Sequence, residues 1–240
     1  MTDLYLYQTL HVARGRARHV AEHAAVLDAA SREWFHRPYT PDCAALKARI
    51  EALAAAERYP TEVSGFVRIE LLPDGTERLL PAGISLYDGY AYRSLQPAAV
   101  TLHYELPLTD GPTSAHEAAT LLARQAAAGR GAEAAIRCDA EGCFREADGA
   151  PLFAIVGRTL LAAPGPQSVE RTITLRAVRR AGLELREEPF GLADLRRIEE
   201  LFFTDHRGIT SLSHCNGQPL MTFLAERIAG EMERAESATR

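Results

Sequence analysis

Apolar and polar residues alternate at the start of the chain, and the period then changes to that of a helix. Residues 4–12 alternate with a period of two, which favours a strand. Arg14-Gly15-Arg16 has the composition of a turn, and apolar positions over residues 18–35 recur at helical spacing. The chain is therefore predicted to open as strand, turn and helix.

A second helix and an antiparallel meander are predicted to follow. Prolines at 38 and 41 end the first helix, and Thr40 or Asp42 can cap a helix over residues 43–59. Strands are predicted over residues 63–72, 77–87 and 98–105, the first two joined by the turn Pro73-Asp74-Gly75.

The second half of the chain mixes both periods. Residues 107–112 hold two prolines and a glycine with no apolar period, which predicts a linker between lobes at 1–106 and 113–240. Helices are predicted over 114–128, 167–181 and 219–232. The fold class is therefore α+β with two lobes, and its short strands are predicted at 134–138, 143–146, 152–156, 159–162, 183–187, 201–204 and 209–212.

Composition excludes several classes of protein. The 240 residues are 47% hydrophobic and 25% charged, with a net charge of −5. No apolar run approaches the roughly 20 residues of a membrane span, and no basic stripe suits nucleic acid. The N-terminus lacks a basic, apolar leader, so the cytoplasm is the expected location. The chain has a single lysine, Lys47, beside 26 arginines.

The four cysteines are too few for a disulfide framework. Cys138 and Cys143 flank Asp139-Ala-Glu-Gly142, which has the composition of a hairpin turn. The two thiols either face each other across two strands or are two reduced strand residues.

His19-Val-Ala-Glu22-His23 has the HxxEH order of inverted zinc proteases. On a helix, residues at i and i+4 share a face, as two zinc ligands require. A catalytic zinc needs a third protein ligand, which no other segment suggests. The two readings are a zinc hydrolase and a surface or capping role for these histidines.

Residues 205–210, Asp-His-Arg-Gly-Ile-Thr, follow a predicted strand. A glycine exposes backbone N–H groups and the threonine adds a hydroxyl, which suits an anion. The alternative is a hydrated turn.

The order of motifs from residue 133 to 219 resembles the class IV aminotransferases of the pyridoxal-phosphate (PLP) fold-type IV superfamily. That superfamily includes branched-chain and D-amino-acid aminotransferases and aminodeoxychorismate lyase. The opening strand, glycine turn and helix are also similar. The resemblance implies a two-lobed architecture with a cleft between the lobes. The motifs that carry the resemblance are Leu122-Ala-Arg-Gln125, Asp139-Ala-Glu-Gly142, Glu146, Leu161-Ala-Ala-Pro164 and Phe202-Phe-Thr204.

The resemblance also implies roles for residues. Glu146 matches the carboxylate set against the ring nitrogen of PLP, where it keeps the ring protonated as an electron sink. Arg207 would bind substrate in the cleft. Gly208, Ile209 and Thr210 would form one segment that holds phosphate. Ser168 and Val169 would form the second, at a helix N-terminus.

Two family residues are replaced. The phosphate-binding arginine falls on Val26, and the Schiff-base lysine falls near Thr113, with no lysine anywhere after Lys47. Arginine is no substitute, because a guanidinium stays protonated whereas imine formation needs a neutral amine.

Three hypotheses follow. The first is a catalytically altered or inactive homologue that binds a small ligand in the former cofactor cleft, as a homodimer on resemblance. The second is an active aminotransferase or lyase with non-covalent PLP, in which His116, His206 or His214 shuttles the proton. The third is the zinc hydrolase built on His19 and His23.

Overall fold

The computed structural model describes residues 4–90, 96–106 and 111–238. The chain forms two compact units. The first comprises Met1–Gly89, Gly111–Ala115 and Gln167–Val169, and the second comprises Tyr90–Asp110, His116–Pro166 and Glu170–Arg240. Mixed helices and sheets confirm the predicted α+β class.

The first unit is a four-stranded antiparallel sheet with two helices. The strands are ordered β2-β1-β3-β4. Leucine, isoleucine and valine side chains on one sheet face pack with apolar residues of both helices, which forms the core of the unit. The elements are β1 (Leu6–Ala13), β2 (Arg16–Ala17), α1 (Val20–Trp34), α2 (Cys43–Ala56), β3 (Gly65–Leu71) and β4 (Glu77–Ile84).

Local sequence explains how these elements begin and end. Arg14 and Gly15 both have positive φ, 51° and 71°, which makes the tight turn between β1 and β2. The carboxylate of Asp42 accepts hydrogen bonds from Ala44 N and Ala45 N at 2.9 and 3.2 Å. Of the two predicted caps of α2, Asp42 is therefore the one that is used.

The second unit is built on a mixed sheet with the order β10-β9-β8-β7-β6-β5-β13-β14, to which β11 adds by pairing with β8 and β12. Both faces of β6 are buried. The strands are β5 (Ala98–His103), β6 (Ala134–Cys138), β7 (Phe144–Ala147), β8 (Ala150–Val156), β9 (Thr159–Ala162), β10 (Glu184–Glu187), β11 (Glu200–Asp205), β12 (Gly208–Ser211), β13 (His214–Cys215) and β14 (Gln218–Pro219).

Three longer helices accompany this sheet: α3 (Ser114–Ala128), α4 (Val169–Arg180) and α5 (Phe223–Ala238). The start of α5 is fixed by Glu200, a buried residue of β11. Its two carboxylate oxygens accept hydrogen bonds from Leu224 N at 2.7 Å and Ala225 N at 2.9 Å. A carboxylate at this position satisfies two N–H groups that the helix itself leaves unpaired.

Two of the predicted connections are wrong. Strand β5 does not extend the meander of β3 and β4, because it pairs in parallel with β6. The last helix begins at Phe223, later than residue 219, because Gln218 and Pro219 form the short strand β14.

Part of the predicted linker, residues 107–110, lies outside the described residues, so the boundary at 107–112 stays a prediction. Among the described helices, none has the length and apolar composition required to cross a bilayer.

We expect Glu200→Ala to lower the free energy of unfolding by about 1–3 kcal/mol, because two N–H groups at the start of α5 lose their acceptors. Urea unfolding measures the change. The matched control is Glu199→Ala, whose side chain is exposed and which should change stability by less than about 0.5 kcal/mol. Equal effects of the two variants would contradict this role for Glu200.

Candidate functional site

The site forms on the hairpin of β6 and β7, where a β-bulge sets the direction of the side chains. Arg137 pairs with Glu146, but Cys138 pairs with Phe144, so Arg145 is an extra residue on β7. Phe144 and Glu146 would share a face in a regular strand. The bulge instead lets Phe144 enter the apolar core while Glu146 faces the other side with Arg137.

Glu146 is the centre of a buried cluster of three polar side chains. Its Oε1 atom is 3.2 Å from Arg137 Nε, which donates to it, and 2.9 Å from His116 Nε2. His116, Arg137 and Glu146 are 5%, 3% and 6% exposed. We call these three residues the Glu146 cluster.

Helix α3 presents a polar stripe to this hairpin. Residues at i, i+4 and i+8 of a helix lie on one face. His116 bonds Glu146, and Arg124 Nε lies 3.2 Å from Asp148 Oδ2. Between them lies Thr120, next to Gly149: a Cβ added at that glycine would be 2.9 Å from Thr120 Oγ1. Asp148 and Gly149 both have positive φ and form the tight turn from β7 to β8.

Tyr104 and Glu105 lie just beyond β5, close to the cluster. Burial, and next the negative charge of Glu146, raise the pKa of Tyr104 to about 12. The phenol is therefore protonated at neutral pH. Glu105 is exposed, and its Oε2 lies 4.0 Å from Arg137 Nη1.

The predicted anion loop at residues 205–210 is a turn followed by a strand. Asp205 accepts hydrogen bonds from the backbone N and the guanidinium of Arg207, at 2.8 Å and 2.9–3.1 Å. Gly208, Ile209 and Thr210 are buried in β12, paired with β11. The guanidinium of Arg207 is thus already bonded to a carboxylate within its own turn.

The other predicted site residues occupy separate places. His206 is half-buried in the same turn, and His214 is exposed on β13. His116 is therefore the one of the three candidate shuttles for which a bond to Glu146 is seen in the described part of the chain. Ser168 directly precedes α4, which begins at Val169.

Thr113 and Val26, which the resemblance matches to the family's lysine and phosphate-binding arginine, both lie in the first unit. Thr113 is buried and forms an isolated bridge with Leu6 of β1. Val26 is half-buried on α1.

The structure gives the HxxEH reading no support. His19 has φ 53° and is the residue before α1, so it does not share a helical face with His23. His23 is buried, and its Nδ1 lies 2.8 Å from Gln8 Oε1. Within the residues that the structure describes, no three His, Cys, Asp or Glu side chains are grouped to hold a metal.

Cys138 and Cys143 do not face each other across two strands, because Cys143 belongs to the turn and Phe144 is opposite Cys138. All four cysteines are free. Cys143 N instead donates to Asp139 Oδ1 at 2.8 Å, which closes the hairpin turn.

Comparison with known proteins identifies the family. The sequence profile described as amino-transferase class IV matches residues 5–206. The chain belongs to the class IV aminotransferase family. The resemblance of its motifs to this family is thereby confirmed. No curated protein matches the chain.

Solved structures share the fold at low sequence identity. The fold IV transaminase CpuTA1 from Curtobacterium pusillum has a TM-score of 0.82 at 14% identity, covering 98% of this chain and 86% of that one. A hypothetical aminotransferase from Mycobacterium tuberculosis in PLP-bound form has a TM-score of 0.79 at 17% identity, covering 98% and 90%. A branched-chain aminotransferase from Thermoproteus uzoniensis has 0.79 at 16%, covering 96% and 84%.

Arg137 was not singled out from the sequence, although a signal for it exists. It is the one charged residue of Ala134-Ala-Ile-Arg-Cys138, an otherwise apolar strand in this member of the class IV aminotransferase family. A buried arginine in such a strand needs a carboxylate partner. The hairpin partner strand supplies Glu146 directly opposite.

We expect Gly149→Ala to destabilise the protein more than Gly131→Ala. Both glycines have φ 76°, so both substitutions cost about 1–2 kcal/mol in the backbone. Only at Gly149 does the new methyl group meet Thr120, whereas nothing lies within 4 Å at Gly131. The contact should add about 1–3 kcal/mol, measured by urea unfolding. Equal losses would show that α3 does not pack closely on this turn.

We also expect the protein to lose stability as the pH rises from 10 to about 12. The pKa of Tyr104 is higher in the folded than in the unfolded chain, so its contribution is complete below pH 10 and is lost above it. Tyr104→Phe should flatten this part of the curve of unfolding free energy against pH. An unchanged slope would contradict the buried position of this phenol.

Proposed function

We propose that this chain is a class IV aminotransferase homologue that does not form the internal aldimine and binds a small ligand where its relatives hold their cofactor. The observation that carries the proposal is the position of the single lysine. Lys47 lies on α2 in the first unit, half-exposed, with Nζ 3.9 Å from Glu51 Oε1. An exposed lysine paired on its own helix is typical of a solvated helix surface.

The position matched to the family's lysine supports the same proposal. Thr113 carries a hydroxyl there. A hydroxyl cannot form an imine with an aldehyde, and the abundant arginines cannot lose the proton that imine formation requires. Val26, at the position matched to the phosphate-binding arginine, removes a bidentate charge-assisted contact.

The state of Glu146 also speaks against PLP chemistry. The resemblance sets this carboxylate against a protonated ring nitrogen, but here its Oε1 is bonded by Arg137 and His116. Arg137 thus already gives Glu146 a positive partner, and with no lysine at the matched position the described residues do not fit a PLP held by a Schiff base. We derive no catalytic step through that cofactor.

A second candidate function has one observation in its favour. His116 lies against Glu146, so a non-covalently bound PLP would meet an imidazole, the side chain that most often transfers protons in enzymes. In this reading the chain is an active aminotransferase or lyase with His116 as the shuttle. By resemblance to the family we also propose a homodimer, and the cytoplasmic location stays a prediction.

The test is a PLP titration followed by borohydride reduction. Reduction fixes an imine to the chain, and mass spectrometry of peptides locates it. We expect no stoichiometric adduct in the wild type and none in Lys47→Arg, the control that removes the only amine side chain. Thr113→Lys in the Lys47→Arg background should gain an adduct if Thr113 occupies the family's lysine position.

The outcomes separate the two candidates. A stoichiometric adduct on Lys47 would overturn the proposal. Saturable PLP binding without an adduct, with amino-group transfer lost in His116→Gln, would favour the second candidate. Absence of PLP binding would favour the first.

A further inference from the structure

We infer that Arg137 is a built-in counter-ion of Glu146 that takes the place of a protonated pyridine ring, so that this site accepts ligands with a neutral group against Glu146 as readily as ligands with a cationic one. The inference rests on the proposed function, because it names the ligand class of the same site. In addition, Arg137 would supply the positive charge that is missing when no cofactor ring is bound.

Burial makes the counter-ion necessary. Arg137 is 3% exposed and Glu146 6%. An isolated carboxylate or guanidinium in such surroundings has lost its hydration without compensation, which is strongly unfavourable. In a cofactor-binding relative the ring would supply the positive charge. In this chain Arg137 supplies it permanently, at 3.2 Å from Glu146 Oε1.

The backbone holds the pair together. Arg137 and Glu146 are directly opposite in the β6–β7 ladder, and the bulge at Arg145 turns Glu146 to the same side as Arg137. Cross-strand neighbours of opposite charge on one face stabilise a sheet. The pair is therefore fixed by the register of two interior strands and needs no ligand to bring it together.

The charges around Glu146 set the ligand class. With His116 neutral, the Glu146 cluster has no net charge, and a protonated His116 makes it positive. Tyr104 is a neutral phenol, and Asp148 is paired with Arg124. Glu105 lies near Arg137 but is exposed, so solvent screens its charge. A protonated ring therefore gains little over a neutral ring at this position.

The first experiment tests the counter-ion in the protein without ligand. We expect Arg137→Met to lower the folded-to-unfolded ratio by about a hundredfold or more, because the buried carboxylate of Glu146 loses its guanidinium and keeps only His116 as a partner. Arg137→Met/Glu146→Gln should recover at least tenfold of that loss, and Arg145→Met is the control. Arg145 belongs to the same hairpin, but its side chain is 37% exposed and pairs with Asp139, so its loss should be within about threefold.

Glu146→Gln alone completes a double-mutant cycle with these two variants. If the stability losses of the two single variants simply add in the double variant, the inference is overturned. If Arg137→Met fails to fold, folding of the double variant supports the inference, and failure of the double variant contradicts it.

The second experiment tests the ligand class with two isosteric probes, pyridoxine 5′-phosphate and its analogue with CH in place of the ring nitrogen. We expect the wild type not to discriminate between them, and Glu146→Gln to behave in the same way. Arg137→Met should prefer the nitrogen-containing probe by about tenfold, because Glu146 can then accept from the protonated ring. Calorimetric titration measures the affinities.

A tenfold preference of the wild type for the ring nitrogen would overturn the inference. Failure of the proposed function looks different: borohydride would fix PLP to Lys47, while the charge coupling measured without ligand would be unaffected.

Discussion

The ion pair between Arg137 and Glu146 is the interaction on which the candidate site depends. Neither charge is stable at its depth without the other, so the strands that carry them must keep one register. The bond between His116 and Glu146 joins α3 to this ion pair. Thr120 and Arg124, on the same face of α3, then contact Gly149 and Asp148 of the next turn. A strand, its hairpin partner and a helix are thus held together by one carboxylate.

Local patterns predicted most of the elements. Helix α3 and strands β6 and β9 have the predicted limits, because a clear apolar period and adjacent turn residues mark both of their ends. The family was also accessible, since motif order survives at identities where individual residues do not, and Glu146 lies on the strand predicted there. The Asp42 cap and the Arg14-Gly15 turn are local features of the same kind.

The features that local patterns did not predict depend on strand partners that are distant in the chain. Nothing within residues 98–103 distinguishes a third meander strand from one that pairs in parallel with β6. Strands β13 and β14 have two residues each, too few to show a period. The bulge at Arg145 breaks the alternation from which facing side chains are predicted, so the opposition of Arg137 and Glu146 was not predicted.

The single extra residue at Arg145 decides which face of β7 each of its neighbours takes. The side chain of Arg145 is itself partly in solvent and pairs with Asp139, so the bulge acts on the hairpin through the backbone. A strand of the same length without the bulge would place Phe144 and Glu146 on one face, so either the carboxylate would enter the apolar core or the aromatic ring would leave it. Deletion of Arg145 would instead keep the ring and the carboxylate on opposite faces, as neighbours in a regular ladder.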